Sequence, residues 1–343
     1  MTESKRGLAV VLIVGLSAIP GAAEAKKDHR AESNAESAGS PVLWREPADI
    51  ASRNLYYGPG GPGDAPHTVF SFEKEDRSGS NPKFDVRDEN GVRWKVKLGE
   101  EARPETVASR LVWAVGYFAD EDYLLPVLKV KGLARLHRGQ KFRMPDGSFH
   151  DVRLKRHIEG EKKVGEWRWR DNPFVGTREW NGLRTMMALV NNWDLKDQNN
   201  AIYEERSGSP LATEELVYMV SDLGASFGTT GLNRTHKISK GNLKSYARSN
   251  FIRRTTPYYV DFAIPSRPAL VVLINPREFF SRLRLEWIGR NIARDDARWI
   301  GQLLARLSPD QVRQAFRAAN YSPDEIEAFA AVIERRIGEL AEL

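Results

Sequence analysis

Three runs, 68–76, 83–88 and 92–98, alternate apolar and polar residues with a period of two, the pattern of half-buried strands. Asn90-Gly91, between the second and third, suits a tight hairpin turn whose central residues adopt positive φ. In the third run Val92, Trp94, Val96 and Leu98 share one face, and Arg93, Lys95 and Lys97 share the other. The period then becomes helical: Pro104 and Glu105 suit a helix start, and Val107, Leu111, Ala114 and Val115 recur on one stripe. Strand-like runs return over 123–136, with a turn at Lys131-Gly132, and over 149–156. Residues 177–190 read as a helix with Leu183, Met186, Met187 and Val190 on its apolar side. From 275 onward the pattern is helical, and the Ser-Pro-Asp triplets at 308 and 322 each offer an N-cap followed by proline in the first turn. Residues 58–63 are too rich in Gly and Pro for either element and read as a loop, whose prolines have no N–H to offer a phosphate. The expected fold class is α+β and two-lobed: a β-rich antiparallel N-lobe with one helix over 41–160, and a mainly helical C-lobe over 161–343.

Ahead of these elements, Lys5 and Arg6 precede an apolar run over 7–19, and Ala23-Glu24-Ala25 places small residues two apart. This is the pattern of a secretory signal peptide over 1–25, cleaved after Ala25, so the mature chain is expected to be exported, periplasmic or secreted. The run is short for a bilayer and no other segment is longer and as apolar, so no transmembrane span is expected after cleavage. Residues 26–40, charged and small, read as a disordered tether.

Net charge is +6, from 52 basic and 46 acidic residues interspersed along the chain. That mild excess suits a polyanionic ligand such as a nucleotide. With no RNP-like motif, zinc-finger spacing or basic helix face, no nucleic-acid partner is expected. Cysteine is absent, which excludes disulfides, thiolate metal sites and thiol nucleophiles. H-E-x-x-H does not occur, so zinc hydrolysis has no motif to rest on.

The candidate chemistry lies in NNWDLKDQNNAIY (191–203) and VYMVSDLGASFG (217–228). The first sets Asp194 five residues before Asn199 with Lys196 between them, and the second ends a strand-like run on Asp222-Leu223-Gly224. Phosphoryl transfer needs a carboxylate near the attacking hydroxyl and hard oxygen ligands for Mg²⁺, and these two stretches contain both. The earlier stretch SGSNPKFDVRDENGVRWKVKLGEEARPE (78–105) resembles the corresponding region of phosphoinositide-type and related atypical kinases, where a lysine is followed by glycine, acidic residues and an acidic helix position.

That resemblance, over roughly 68–287, implies a protein-kinase-like fold and assigns roles. Lys97 matches the phosphate-binding lysine and Glu105 its helical partner; Lys95, on the same face, is the second choice. Ser78 and Ser80 fall in the phosphate-covering loop. Asp194 matches the catalytic base or substrate orienter, Lys196 a cation that neutralises the transferring group, and Asn199 and Asp222 the metal ligands. The implied cofactors are ATP and Mg²⁺, with Mn²⁺ as the alternative metal. Two departures stand out: G-x-G-x-x-G is absent, and Asn192-Trp193-Asp194 replaces H-R-D, removing the arginine that reads a phosphorylated activation loop. The expected activity is phosphoryl transfer from ATP to an unknown hydroxyl acceptor on a protein, glycan or lipid. A catalytically inactive, kinase-like envelope-binding protein and an AMP transferase on the same fold stay open. The polar, basic stretch 225–255 is expected as a mobile substrate-facing loop, which suits an acidic acceptor. The Trp- and Arg-rich stretch 165–193 reads as core, with a glycan clamp as the other reading.

Overall fold

The computed structural model describes residues 39–343 apart from 80, 206–213, 231–238, 266–272 and 274–275. The expected signal peptide, nearly all of the tether, and Ser80 lie outside the described residues. Strand β1 (Ser40–Val42) is followed by β2 (Phe70–Asp76), β3 (Lys83–Asp88), β4 (Arg93–Lys97), helix α1 (Ala102–Ala114), β5 (Asp122–Leu128), β6 (Val130–Lys131) and β7 (Phe149–Arg156). Six of these strands form one sheet in the order β5-β7-β4-β3-β2-β6. The turn between β3 and β4 closes through Gly91 at φ 84°.

Alternation along the strands sorts this sheet into two faces. One buries Phe84, Val86, Trp94, Val96, Val152 and Leu154 in a common apolar cluster. On the other, the register sets Lys83, Lys97 and Arg153 in one row across β3, β4 and β7, and Asp85, Lys95 and Lys155 in the next. This charged face roofs a cleft.

The rest of the chain contains β8 (Lys162–Gly165), α2 (Arg178–Leu189), β9 (Asn200–Glu205), β10 (Glu215–Val220), α3 (Leu243–Arg248), β11 (Ile252–Thr255), β12 (Tyr259–Phe262), α4 (Pro276–Leu283), β13 (Ile292–Ala293), α5 (Arg294–Leu304), α6 (Pro309–Ala318) and α7 (Pro323–Ala341). A second sheet, β1-β10-β9-β8, carries the hairpin that joins the two sequence motifs, and β1 runs parallel to β10. Met187, Leu189, Phe227, Tyr246, Phe316 and Phe329 belong to the core beneath it. Ser308 and Ser322 each form a capping box with proline in the first turn, which satisfies the orphan N–H groups of α6 and α7. Among the described residues no helix is long and apolar enough to cross a membrane.

Arg336 on α7 is fully buried, and among the described residues its hydrogen bonds go to oxygens of Leu189, Tyr246 and Ser249. It donates to Leu189 O (2.9 Å), at the end of α2, and to Ser249 Oγ (2.8 Å). Trp167 and Trp169 are buried in the same core, and Trp167 Nε1 donates to Met219 O at 3.0 Å. Neither ring is presented to solvent, so the glycan-clamp reading loses those two platforms. The stretch expected as one mobile loop after Gly224 also differs. Thr229 bridges to Ser239, Asn242 caps α3, and the Tyr246 hydroxyl donates to Leu189 O at 2.6 Å. Tyr246 and Phe251 are apolar anchors inside an otherwise polar run, and their burial pins its second half. The architecture is the two-lobed α+β fold expected from the sequence.

Candidate active site

α2 leads straight into the catalytic stretch. Asn191 ends the helix at φ 57°, a left-handed conformation that asparagine tolerates, and its Nδ2 donates to Gly228 O at 2.5 Å. Backbone bonds run from Phe227 N–H to Val190 O (2.8 Å) and from Trp193 N–H to Ala225 O (3.1 Å). Asn192 Oδ1 accepts from the Asp194 N–H (2.9 Å), and its Nδ2 lies 3.5 Å from Asp222 O. Asn199 Nδ2 donates to Asp194 O at 2.6 Å, and Asn199 O accepts from the Ser221 N–H at 2.9 Å. Asn191, Asn192 and Asn199 therefore stitch the Asp194 loop to the segment 221–228.

Above this loop, Lys97 is buried within a group of carboxylates. Its Nζ lies 2.8 Å from Glu105 Oε2 on α1, 2.8 Å from Glu101 Oε2 and 3.3 Å from Asp222 Oδ1. Burial opposes the charge, yet Glu105, Asp222 and Glu101 together hold the ammonium above its ordinary range. Burial pushes the Glu105 carboxyl up to about 7, against the pull of Arg153 and Lys97. Burial also opposes ionisation of Glu101, but Lys97 and Lys240 hold it at about 2. Carboxylate oxygens of Glu101, Glu105 and Asp222 all lie within 4.8 Å of one another. The Lys97 ammonium lies against all three. Glu101, which sequence reasoning passed over, joins three parts of the site: Lys97, Asn81 of the loop between β2 and β3, and Lys240.

The titration of Glu105 gives a signed expectation. Its folded pKa lies above the 4.5 of the free side chain, so it favours the fold below about 4.5 and loses that contribution as pH rises through about 7. The stability of the native sequence relative to Glu105→Gln should therefore fall as pH rises across that window. Urea unfolding of both proteins in steps of pH checks this; a pH-independent difference would contradict it. Glu101, held at about 2 by Lys97 and Lys240, titrates below this window.

The cleft holds about 560 Å³ and brings together the sequence-predicted residues Ser78, Lys95, Lys97, Glu105, Asp194, Lys196, Asn199 and Asp222. Ser78 lines it, but its hydroxyl is already given to Asp76 Oδ1 at 2.6 Å, and its carbonyl accepts from Arg138 at 2.9 Å. Lys95 is committed to Asp76 (2.7 Å) and Asp85 (3.3 Å). Of the two lysines, only Lys97 meets Glu105. Lys196 Nζ lies 3.3 Å from Asp194 Oδ1. The same oxygen accepts from Arg282, a buried side chain on α4 that also donates to Trp193 O at 2.8 Å. Its guanidinium stands 5.0 Å from the centroid of the Trp193 ring. No local motif announces Arg282, which reaches Asp194 from 88 residues away.

No family model and no curated protein matches the sequence. Among solved structures the chain is similar to the Helicobacter pylori proinflammatory kinase CtkA, with 11% identity over 81% of this chain and 97% of that one and a TM-score of 0.45. It is also similar to the Chaetomium thermophilum Rio2 kinase, solved with ADP, Mg²⁺ and phosphoaspartate, at 10% identity over 79% and 72% with a TM-score of 0.32. A Golgi casein kinase shares 9% identity over 78% and 75%, with a TM-score of 0.28.

Proposed function

We propose that this protein is an exported, ATP- and Mg²⁺-dependent phosphotransferase that moves a phosphoryl group to a hydroxyl acceptor. The observation that carries the reading is Lys97, held by Glu105 and reaching Asp222 at 3.3 Å in the same cleft as Asp194 and Asn199. Within the kinase-like class, the stretch 78–105 supports a phosphoinositide-type relationship through its lysine, glycine and acidic residues.

In this reading Lys97 meets phosphate oxygens as a cation already oriented by Glu101 and Glu105. Asp194 accepts the hydroxyl proton as the new P–O bond forms and the bridging P–O bond to the departing nucleoside diphosphate breaks. Lys196, beside Asp194, offsets charge on the transferring group. Asn199 and Asp222 would hold Mg²⁺, since an amide oxygen and a carboxylate are hard donors of the type that ion takes. When bound, the ion neutralises charge on the phosphate oxygens. The first 25 residues, read as an export signal, support a site of action outside the cytoplasm.

Thermal melts with and without ATP and Mg²⁺ test the proposal. At ligand a hundredfold above Kd, binding stabilises a protein by about 3 kcal/mol, and a shift of that order is expected for the native sequence. Asp222→Ala should abolish the Mg²⁺-dependent part of that shift and the transfer of labelled γ-phosphate. A native protein whose melting ignores nucleotide would sink the reading.

A further inference from the structure

Helix α4 (Pro276–Leu283) has one side turned to the active site and one turned to water. On the inner side Arg282 is buried and donates to Asp194 Oδ1 and Trp193 O. At about 100° per residue, Phe280 and Arg284 each fall about 160° round the helix from Arg282, and Arg277 lies about 60° from Phe280. Exposure follows that geometry. Phe280 is 49% exposed, Leu283 44%, and Leu273, just ahead of the helix, 80%. Arg277 and Arg284 are exposed beside them. Of the ten large apolar side chains exposed among the described residues, these three fall within one stretch of eleven, 273–283. Single exposed apolar residues call for no explanation, but a cluster marks a surface that meets something.

The charge on this face has one sign. Among the described side chains of 273–285 the charged ones are Arg277, Arg282 and Arg284. Arg317 on α6 and Arg335 on α7 are each paired with a carboxylate, Asp310 and Glu339. Among the described residues Arg277 and Arg284 form no such pair. Apolar tips flanked by arginines suit the head-group layer of a bilayer: the apolar groups enter the acyl boundary, and the arginines lay their own apolar stems there while keeping charge among the phosphates. We propose that the outer face of α4 docks on an anionic lipid surface. Because the same helix holds Asp194 through Arg282, docking sets that carboxylate about one helix diameter, or about 10–12 Å, from the lipid. Such binding needs neither nucleotide nor phosphoryl transfer, so it stands or falls apart from the phosphotransferase reading.

The test uses the mature chain, 26–343, since the apolar run over 7–19 would itself enter a bilayer and its removal takes away no described residue. The chain is sedimented with vesicles of phosphatidylcholine alone or with about a third phosphatidylglycerol. Binding to the anionic vesicles is expected to be at least about tenfold stronger and to weaken with salt. Arg277→Gln with Arg284→Gln should lower it about tenfold or more, and Phe280→Ser with Leu283→Ser should lower it as far, both with native melting curves. Amide exchange over 276–285 in the native sequence should slow on anionic vesicles. Equal binding to neutral vesicles, or none to either, overturns the proposal, as does native-like binding by both double variants. If the variants do not fold, unchanged exchange over 276–285 overturns it alone. Should an acidic amphipathic peptide slow that exchange where vesicles do not, the partner is a protein and the lipid assignment falls.

Discussion

Lys97→Met is expected to destabilise the fold by about 3–5 kcal/mol, the usual cost of removing one partner from a buried ion pair. The substitution leaves Glu101, Glu105 and Asp222 with carboxylate oxygens within 4.8 Å of one another and without the ammonium against all three. Arg153, whose Nε lies 3.3 Å from Glu105, and Lys240 on Glu101 compensate only in part, since neither touches Asp222. Adding Glu105→Gln replaces the most deeply buried of the stranded carboxyls with a neutral amide. The double variant should therefore regain stability relative to Lys97→Met, with a coupling of about 1–3 kcal/mol. Urea unfolding of the four proteins at pH 7 measures this. A loss below about 1 kcal/mol for Lys97→Met would mean that the carboxylates are satisfied without it. The practical corollary is that a dead Lys97 variant says little about chemistry until its melting curve is known.

Asp194→Asn should slow phosphoryl transfer by about 10²–10⁴-fold, the range for loss of a general base, while the nucleotide-dependent thermal shift remains. Asparagine is the informative substitution because Arg282 is buried against Asp194 Oδ1, and an amide oxygen still accepts that bond. Alanine would withdraw the acceptor and add a structural cost of about 1–3 kcal/mol to the chemical one. Initial rates with γ-labelled ATP, taken beside melts of the same preparations, separate the two. A transfer rate within about threefold of the native value would reduce Asp194 to a loop-positioning role.

What could be read from the sequence was what local periodicity and spacing dictate. Period-two alternation placed Lys97 on the polar face of β4, and the helix start after Pro104 placed Glu105 within reach of it. Asp194, Lys196 and Asn199 share one short loop, so their joint presence in the cleft needed no knowledge of distant contacts. Glu101 escaped notice because it sits at the N-cap of α1, where a shift of one residue in the helix start changes which acid faces the lysine. Arg282 escaped for a different reason: its partnership with Asp194 is made by the packing of α4, which spacing along the chain does not encode. The order after Gly228 was hidden by composition, since Tyr246 and Phe251 are spaced too widely to give a period. Strand β1 is similar: Ser-Pro-Val carries no strand pattern, and its parallel pairing with β10 exists only once the hairpin has formed.

Arg336 makes the far end of the chain a foundation for chemistry that takes place elsewhere. Its bonds to Leu189 and Ser249 fasten the last turn of α2, from which the Asp194 loop departs, to a helix none of whose described residues lines the cleft. A fragment cut where the kinase resemblance fades, near residue 287, would keep every residue assigned a role and lose the arginine bonded to the last carbonyl of α2. The smallest unit worth expressing is therefore set by this buried guanidinium, and it runs through α7.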